Sequence, residues 1–212
     1  MPIKLQHFYM IRHGETEANA ARLMAGSLDS PLTDKGRTQA AQTQTIIQSL
    51  QIKPRAIIHS QLSRARDTAQ ILNANLNLPM SQNPDLAEWH AGDWEGETYE
   101  KCRNLLIDWI TPPNGETPEQ FLKRTKDGIN GALGKQNQPV MIVCHGGVFR
   151  AFCKFYDLES QGVENCILYE FKPDPTKTQF PWDIYEHRPS NDPVRKKVMI
   201  YSAPTSSDSE IA

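Results

Sequence analysis

His7-Phe8-Tyr9-Met10-Ile11-Arg12-His13-Gly14-Glu15-Thr16 is the stretch from which the rest of the chain can be read. An apolar strand that stops abruptly at Arg-His-Gly puts a cation and an imidazole where an α/β sheet usually carries its site, beyond the carboxyl end of a strand. A guanidinium offers a fork of donors matched to phosphate oxygens, and a neutral imidazole is a nucleophile near pH 7. Gly14 lets the backbone turn without a Cβ in the way. The tripeptide alone is also what a strand capped by a surface arginine and histidine looks like, so the remaining 200-odd residues decide between the two.

The frame is that of one ordinary domain. A chain of 212 residues can bury a substantial core. Its formal net charge of -2 gives no global field to recruit nucleic acid or an anionic membrane. Cys102, Cys144, Cys153 and Cys166 form no Cys-x-x-Cys pair, and two of them sit in apolar surroundings, so buried free thiols are expected. No basic segment followed by an apolar core opens the chain, and no run approaches ~18 apolar residues. These features predict a soluble, cytoplasmic protein.

Working outward, residues 3–12 read as the first strand and 14–32 as a polar surface loop. Thr33 is the expected N-cap of a helix reaching Leu50, with Asp34 in its first turn. Pro54 ends that unit; 55–59 is a short second strand, and a helix runs from about Leu62 to Asn75. Strand, helix, strand and helix in this order predict a βαβ layout with a parallel sheet. Residues 81–100 lack periodicity and read as a functional loop. Helical segments are expected at 98–110 and 117–134, the latter opened by Thr117-Pro118 and carrying a stripe of Leu122, Thr125, Ile129 and Leu133. Val140 to Cys144 has the continuous apolar character of a strand buried on both faces, followed by a helix from Val148 to about Tyr156. Residues 166–172 and 182–187 read as later strands. A single domain over 1–202 and a disordered Ser-rich acidic tail over 203–212 are expected, with no internal repeats.

Three strand-to-helix junctions therefore carry phosphate-binding chemistry: Arg12 and His13, then Ser60 and Arg64, then His145 and Gly146. In a parallel sheet these junctions share one edge. Two arginines and two histidines at one point, helped by helix N-termini, suit a phosphoryl group. Taken singly, Arg64 is a solvated helix cation and His145 a satisfied strand-end histidine; three matching junctions together argue for a site.

The same residues carry a resemblance. Arg12-His13-Gly14-Glu15-Thr16 with Asn19, Asp29 to Gly36, Ser60 through Arg64 to Ala69, Leu86-Ala87-Glu88 leading to Gly92-Asp93-Trp94-Glu95-Gly96, and Cys144-His145-Gly146-Gly147 together resemble the histidine phosphatase (phosphoglycerate mutase-like) superfamily. The resemblance spans about residues 5–155 and fades in the C-terminal quarter. It implies a three-layer α/β/α fold with a mostly parallel central sheet. It also implies that His13 is the nucleophile, that Arg12, Arg64 and His145 bind the phosphoryl oxygens, and that Glu88 is the general acid and base. Trp89 and Trp94 would wall the acid, with His90 the alternative acid. Thr16, Asn19, Gly26 and Gly146 are the further candidates for phosphate or substrate contacts. No metal and no cofactor are implied.

Hydrolysis of small phosphate esters is the favoured activity. The mutase branch carries a Tyr and a Lys where this chain has Ala91 and Tyr99, and has a long arginine-bearing insertion for which the stretch between Glu88 and His145 leaves little room. The alternatives are a cofactor-dependent phosphoglycerate mutase and, less favoured, a phosphate-binding module without turnover. The expected partner is a small phosphate ester, with no nucleic acid and no membrane, a homodimer being an allowed assembly. Leaving-group contacts are expected from 15–30, 88–112 and 180–200.

Overall fold

The computed structural model describes residues 2–134, 138–189 and 194–203, the side chains of Leu105 and Val194 excepted. Among the described residues there are nine strands, β1 (Phe8–Arg12), β2 (Ile57–His59), β3 (Met80–Gln82), β4 (Met141–Cys144), β5 (Glu159–Ser160), β6 (Leu168–Pro173), β7 (Trp182–Arg188), β8 (Val194–Val198) and β9 (Tyr201–Ser202), and six α-helices. The helices are α1 (Glu17–Ala20), α2 (Asp34–Ser49), α3 (Ser63–Asn73), α4 (Tyr99–Ile107), α5 (Pro118–Leu133) and α6 (Gly146–Lys154).

Seven strands form one sheet in the order β3-β2-β4-β1-β6-β7-β8. β3, β2, β4 and β1 run parallel, and β6, β7 and β8 extend the sheet as antiparallel neighbours. Strand period sorts the core: Phe8 and Met10 of β1 face one cluster with Phe149 and Phe152 of α6, while Tyr9 and Ile11 face another with Ala40 and Ile47 of α2 and Ala69 and Leu72 of α3. Helices thus cover both faces, giving the three-layer α/β/α arrangement.

The crossovers fix the site. β1 to β2 and β2 to β3 pass through α2 and α3 on one face; the chain then returns through α5 on the other face to insert β4 between β2 and β1. The carboxyl ends of β1, β2 and β4 are therefore adjacent, the arrangement from which α/β sheets make ligand sites.

Local chemistry explains most boundaries. Thr33 caps α2 through Gly36 N–H, and Thr117 caps α5 in a capping box with Gln120 and Pro118 at the first position. Phe121, Thr125, Ile129 and Leu133 make the buried stripe of α5, with Phe121 where Leu122 was expected. Several expectations are corrected. The first strand starts at Phe8, because the Lys4 N–H bonds the Asn130 side chain rather than a neighbouring strand. The loop 14–32 contains the one-turn helix α1, and 81–100 opens with the end of β3 and holds two 3-10 turns, Pro84–Leu86 and Gly92–Trp94. β8 and β9 lie beyond the strands expected from sequence. All four cysteines are free and buried. No helix among the described residues is long and apolar enough to cross a membrane. The expected tail lies, beyond Ala203, outside the described residues.

Candidate active site

At the end of β1 the backbone hands His13 into the interior. Gly14 makes this possible, since a Cβ there would lie 2.5 Å from the Gly36 carbonyl of α2. Gly14 N–H donates to the Thr68 hydroxyl of α3 (3.0 Å), which donates in turn to the Arg64 carbonyl (2.7 Å). His13 is 3 % exposed. Its Nδ1 lies 2.7 Å from the Gly14 carbonyl, so that nitrogen carries the proton and Nε2 keeps the lone pair. Burial, with Arg64 and Arg12 adding to it, pushes the imidazole pKa well below its ordinary value and holds the ring neutral.

Arg64 and Arg12 flank that ring. Arg64 is buried in the first turn of α3 and donates to the carbonyls of Gly26 and Leu28, both at 2.7 Å. Arg12 donates to the Val163 carbonyl at 3.0 Å, while its buried Nε has no partner. Burial pushes both guanidinium pKa values down from their usual height. At the end of β4, His145 is fully buried with neither ring nitrogen hydrogen-bonded, its ring centroid 5.2 Å from that of His13. Burial and the arginines keep it neutral too. Buried donors without partners are costly. Here the orphans surround one point, which an anion with several oxygens would satisfy.

Glu88 arrives from the loop after β3. One carboxylate oxygen accepts from its neighbour Trp89 N–H (2.9 Å) and the other from Gly147 N–H in the first turn of α6 (3.1 Å). A Cβ on residue 147 would sit 1.9 Å from Glu88 Oε1, whereas one on Gly146 meets Arg12 only at 3.8 Å. The loop itself is bracketed by Arg124 of α5, which donates to the carbonyls of Asp85, Ala87 and Glu88 and makes a two-point pair with Glu116. Trp89 stacks on Phe121 at 5.6 Å and forms part of the cavity wall; Trp94 packs behind it and does not. His90 is exposed and off the wall.

The cavity has a volume of about 460 Å³ and contains Arg12, His13, Arg64, Glu88, Asn19 and Gly26 on its lining, with Gly146 beside them. Thr16 is not on the wall: it is buried as the N-cap of α1, in a capping box with Asn19. On the leaving-group side the wall continues through Leu23, Met24, Tyr99 and Leu106, as the ranges 15–30 and 88–112 predict. Among the described residues the range 180–200 contributes nothing to it. Its place is taken by Arg150 of α6 and by Gly162, Val163 and Asn165. Asn165 donates to the His13 carbonyl at 2.8 Å, so the C-terminal quarter reaches the nucleophile's backbone. Arg150 could have been found, since it lies four residues after Gly146 on the same helix face; Asn165 had no local signal. Among the described residues no group of three or more His, Cys, Asp or Glu side chains is set to hold a metal ion.

The chain is similar to known proteins. A family model described as "histidine phosphatase superfamily (branch 1)" matches residues 8–179. A glucosyl-3-phosphoglycerate phosphatase of Mycolicibacterium vanbaalenii is 32 % identical over 167 residues, 70 % of this chain and 73 % of its own. An adenosylcobalamin/alpha-ribazole phosphatase of Salmonella typhimurium is 34 % identical over 151 residues, 66 % of this chain and 74 % of its own. A metal-independent phosphoserine phosphatase of Arabidopsis thaliana is 32 % identical over 157 residues, covering 67 % and 65 %. Among solved structures, a mycobacterial glucosyl-3-phosphoglycerate phosphatase in complex with VO3 superposes with a TM-score of 0.70 at 25 % identity, covering 84 % of this chain and 97 % of that one.

Proposed function

The chain belongs to the histidine phosphatase superfamily and is a phosphatase for small phosphate esters, and we propose that it works through a phosphohistidine on His13. The observation that carries the proposal is a buried, neutral imidazole with its Nε2 lone pair free, between two guanidiniums that have no carboxylate partner among the described residues.

In the first step Nε2 of His13 attacks phosphorus and forms the P–N bond as the ester P–O bond breaks. Arg12, Arg64 and His145 hold the equatorial oxygens, where charge is spread. Glu88 gives its proton to the leaving oxygen, so the alcohol departs neutral. In the second step Glu88 takes a proton from water, the water oxygen bonds to phosphorus, the P–N bond breaks and inorganic phosphate leaves. Asn19, Gly26 and Gly146 contribute at the cavity wall. Thr16 contributes by capping the turn that presents Asn19. Residues 1–202 act as one domain, in the cytoplasm, without cofactor.

The test is chemical. Enzyme quenched during turnover should carry phosphate on His13, labile in acid and stable in base, and EDTA should leave the rate unchanged. Phosphate on a Ser or Asp, or a strict need for an added divalent ion, would refute the proposal. Mutase turnover of phosphoglycerates primed by 2,3-bisphosphoglycerate should stay far below hydrolysis; the reverse outcome would select the mutase reading instead.

A further inference from the structure

Three guanidiniums on the cavity wall share an unusual state. Arg12, Arg64 and Arg150 are all partly or fully buried, all donate only to backbone carbonyls, and none forms an ion pair among the described residues. Arg124, by contrast, is matched by Glu116, and Arg22, the remaining arginine on this wall, is exposed. A buried cation without a countercharge is expensive, and a fold keeps one where a ligand completes it. For Arg12 and Arg64 the phosphoryl group does so. Nothing in that role accounts for Arg150.

Resting on the phosphatase reading above, we propose that Arg150 forms a second anion subsite, which receives a carboxylate on the leaving alcohol of the substrate.

The position suits this. Arg150 lies four residues beyond Gly146 on α6, about 6 Å along the helix axis at 1.5 Å per residue. Both residues line the one cavity, so the two anion positions share it. The Arg150 guanidinium donates to the Leu106 carbonyl and lies over the Trp109 ring at 5.2 Å, which orients it and leaves further N–H groups to donate. A planar fork held in this way matches a carboxylate at two points. Tyr99 lies on the same wall. Glu88 also biases Arg150, but its two oxygens are committed to the Trp89 and Gly147 N–H groups. Burial pushes the Arg150 pKa down from its usual height. The cavity, at about 460 Å³, is several times larger than a phosphoryl group, and Leu23, Met24 and Val163 offer an apolar bed for the carbon skeleton between the two anions.

The experiment compares O-phosphoserine with O-phosphoethanolamine, esters that differ only by the carboxylate. Wild-type kcat/KM should favour O-phosphoserine by about 10- to 100-fold, the worth of one charge-assisted contact. Arg150→Met should bring that ratio close to one. Arg150→Gln should do the same while keeping a donor for the Leu106 carbonyl, which covers the case in which the methionine variant does not fold. Arg150→Lys should retain an intermediate ratio. A wild-type ratio near one, or a ratio that survives both neutral variants, overturns the subsite. Failure of wild-type enzyme to hydrolyse any ester, p-nitrophenyl phosphate included, overturns instead the phosphatase reading on which it rests.

Discussion

Gly147→Ala is the perturbation that asks most of this structure. The new methyl carbon would sit 1.9 Å from Glu88 Oε1, where real contacts need at least 3.0 Å, so the carboxylate must retreat by about 1.1 Å or more. Phe121, 3.2 Å from the same point, limits retreat of the methyl instead. The thermodynamic cost is small, because the atom displaced is the end of a flexible side chain. Losing the hydrogen bond from Gly147 costs about 1 kcal/mol, and replacing glycine by alanine within a helix returns up to about 1 kcal/mol. The melting temperature should therefore hardly move. Catalysis should suffer, since misplacing a reacting group by about 1 Å costs on the order of 100-fold. The assay is pre-steady-state: the phosphorylation burst should slow by that factor for an alkyl phosphate, whose leaving oxygen needs a proton, and by far less for p-nitrophenyl phosphate. Wild-type burst rates on alkyl phosphates would show that Glu88 is not used where the structure holds it.

Three other changes probe different parts. Glu88→Gln keeps shape but removes the proton, so the burst with alkyl esters should fall by about 10²–10⁴-fold while the p-nitrophenyl burst is nearly spared; equal losses would make Glu88 structural. Asn165→Ala removes the donor to the His13 carbonyl, and kcat for both ester types should drop about tenfold with little change in KM; unchanged kcat would separate this contact from the nucleophile. Stability should also depend on pH in a defined sense. His13 and His145 are held neutral when folded, below the ordinary histidine value of 6.5, so the unfolded chain binds protons first. Their contribution is intact above pH 6.5 and is lost as pH falls below it, with a slope approaching about 1.4 kcal/mol per pH unit for each ring. Depressed carboxylates such as Glu170 add to this chiefly below their ordinary value of 4.5. A urea midpoint that stays flat or rises between pH 7 and 5 would contradict the buried neutral pair.

In the parallel half of the sheet, β1, β2 and β4 were legible because they are apolar runs broken by chemistry. β1 ends at Arg12-His13-Gly14 and β4 at His145-Gly146, and burial on both faces leaves no ambiguity of period. β3 was not legible, since Met80, Ser81 and Gln82 are all exposed and pair only through their backbone. β8, Val-Arg-Lys-Lys-Val, reads as a charged surface segment until β7 is there to pair with it. The site divides the same way. His13, Arg64, Glu88 and His145 stand in local patterns, each at or near a strand end. Asn165 and the Arg124 bracket depend on which segments meet in space, and no local spacing encodes that.

How the machinery is held bears on which mutations this protein can absorb. Arg12 and Arg64 donate to main-chain carbonyls, Glu88 accepts from main-chain N–H groups, and His13 leans on the carbonyl next to it. A substitution can remove a side-chain partner but not a peptide group. In a scan of every position, the polar neighbours of the site should tolerate replacement better than their proximity suggests. Sharp intolerance outside the reacting groups should include Gly14, Gly36 and Gly147, where a single methyl would occupy space that a backbone carbonyl or the acid already fills.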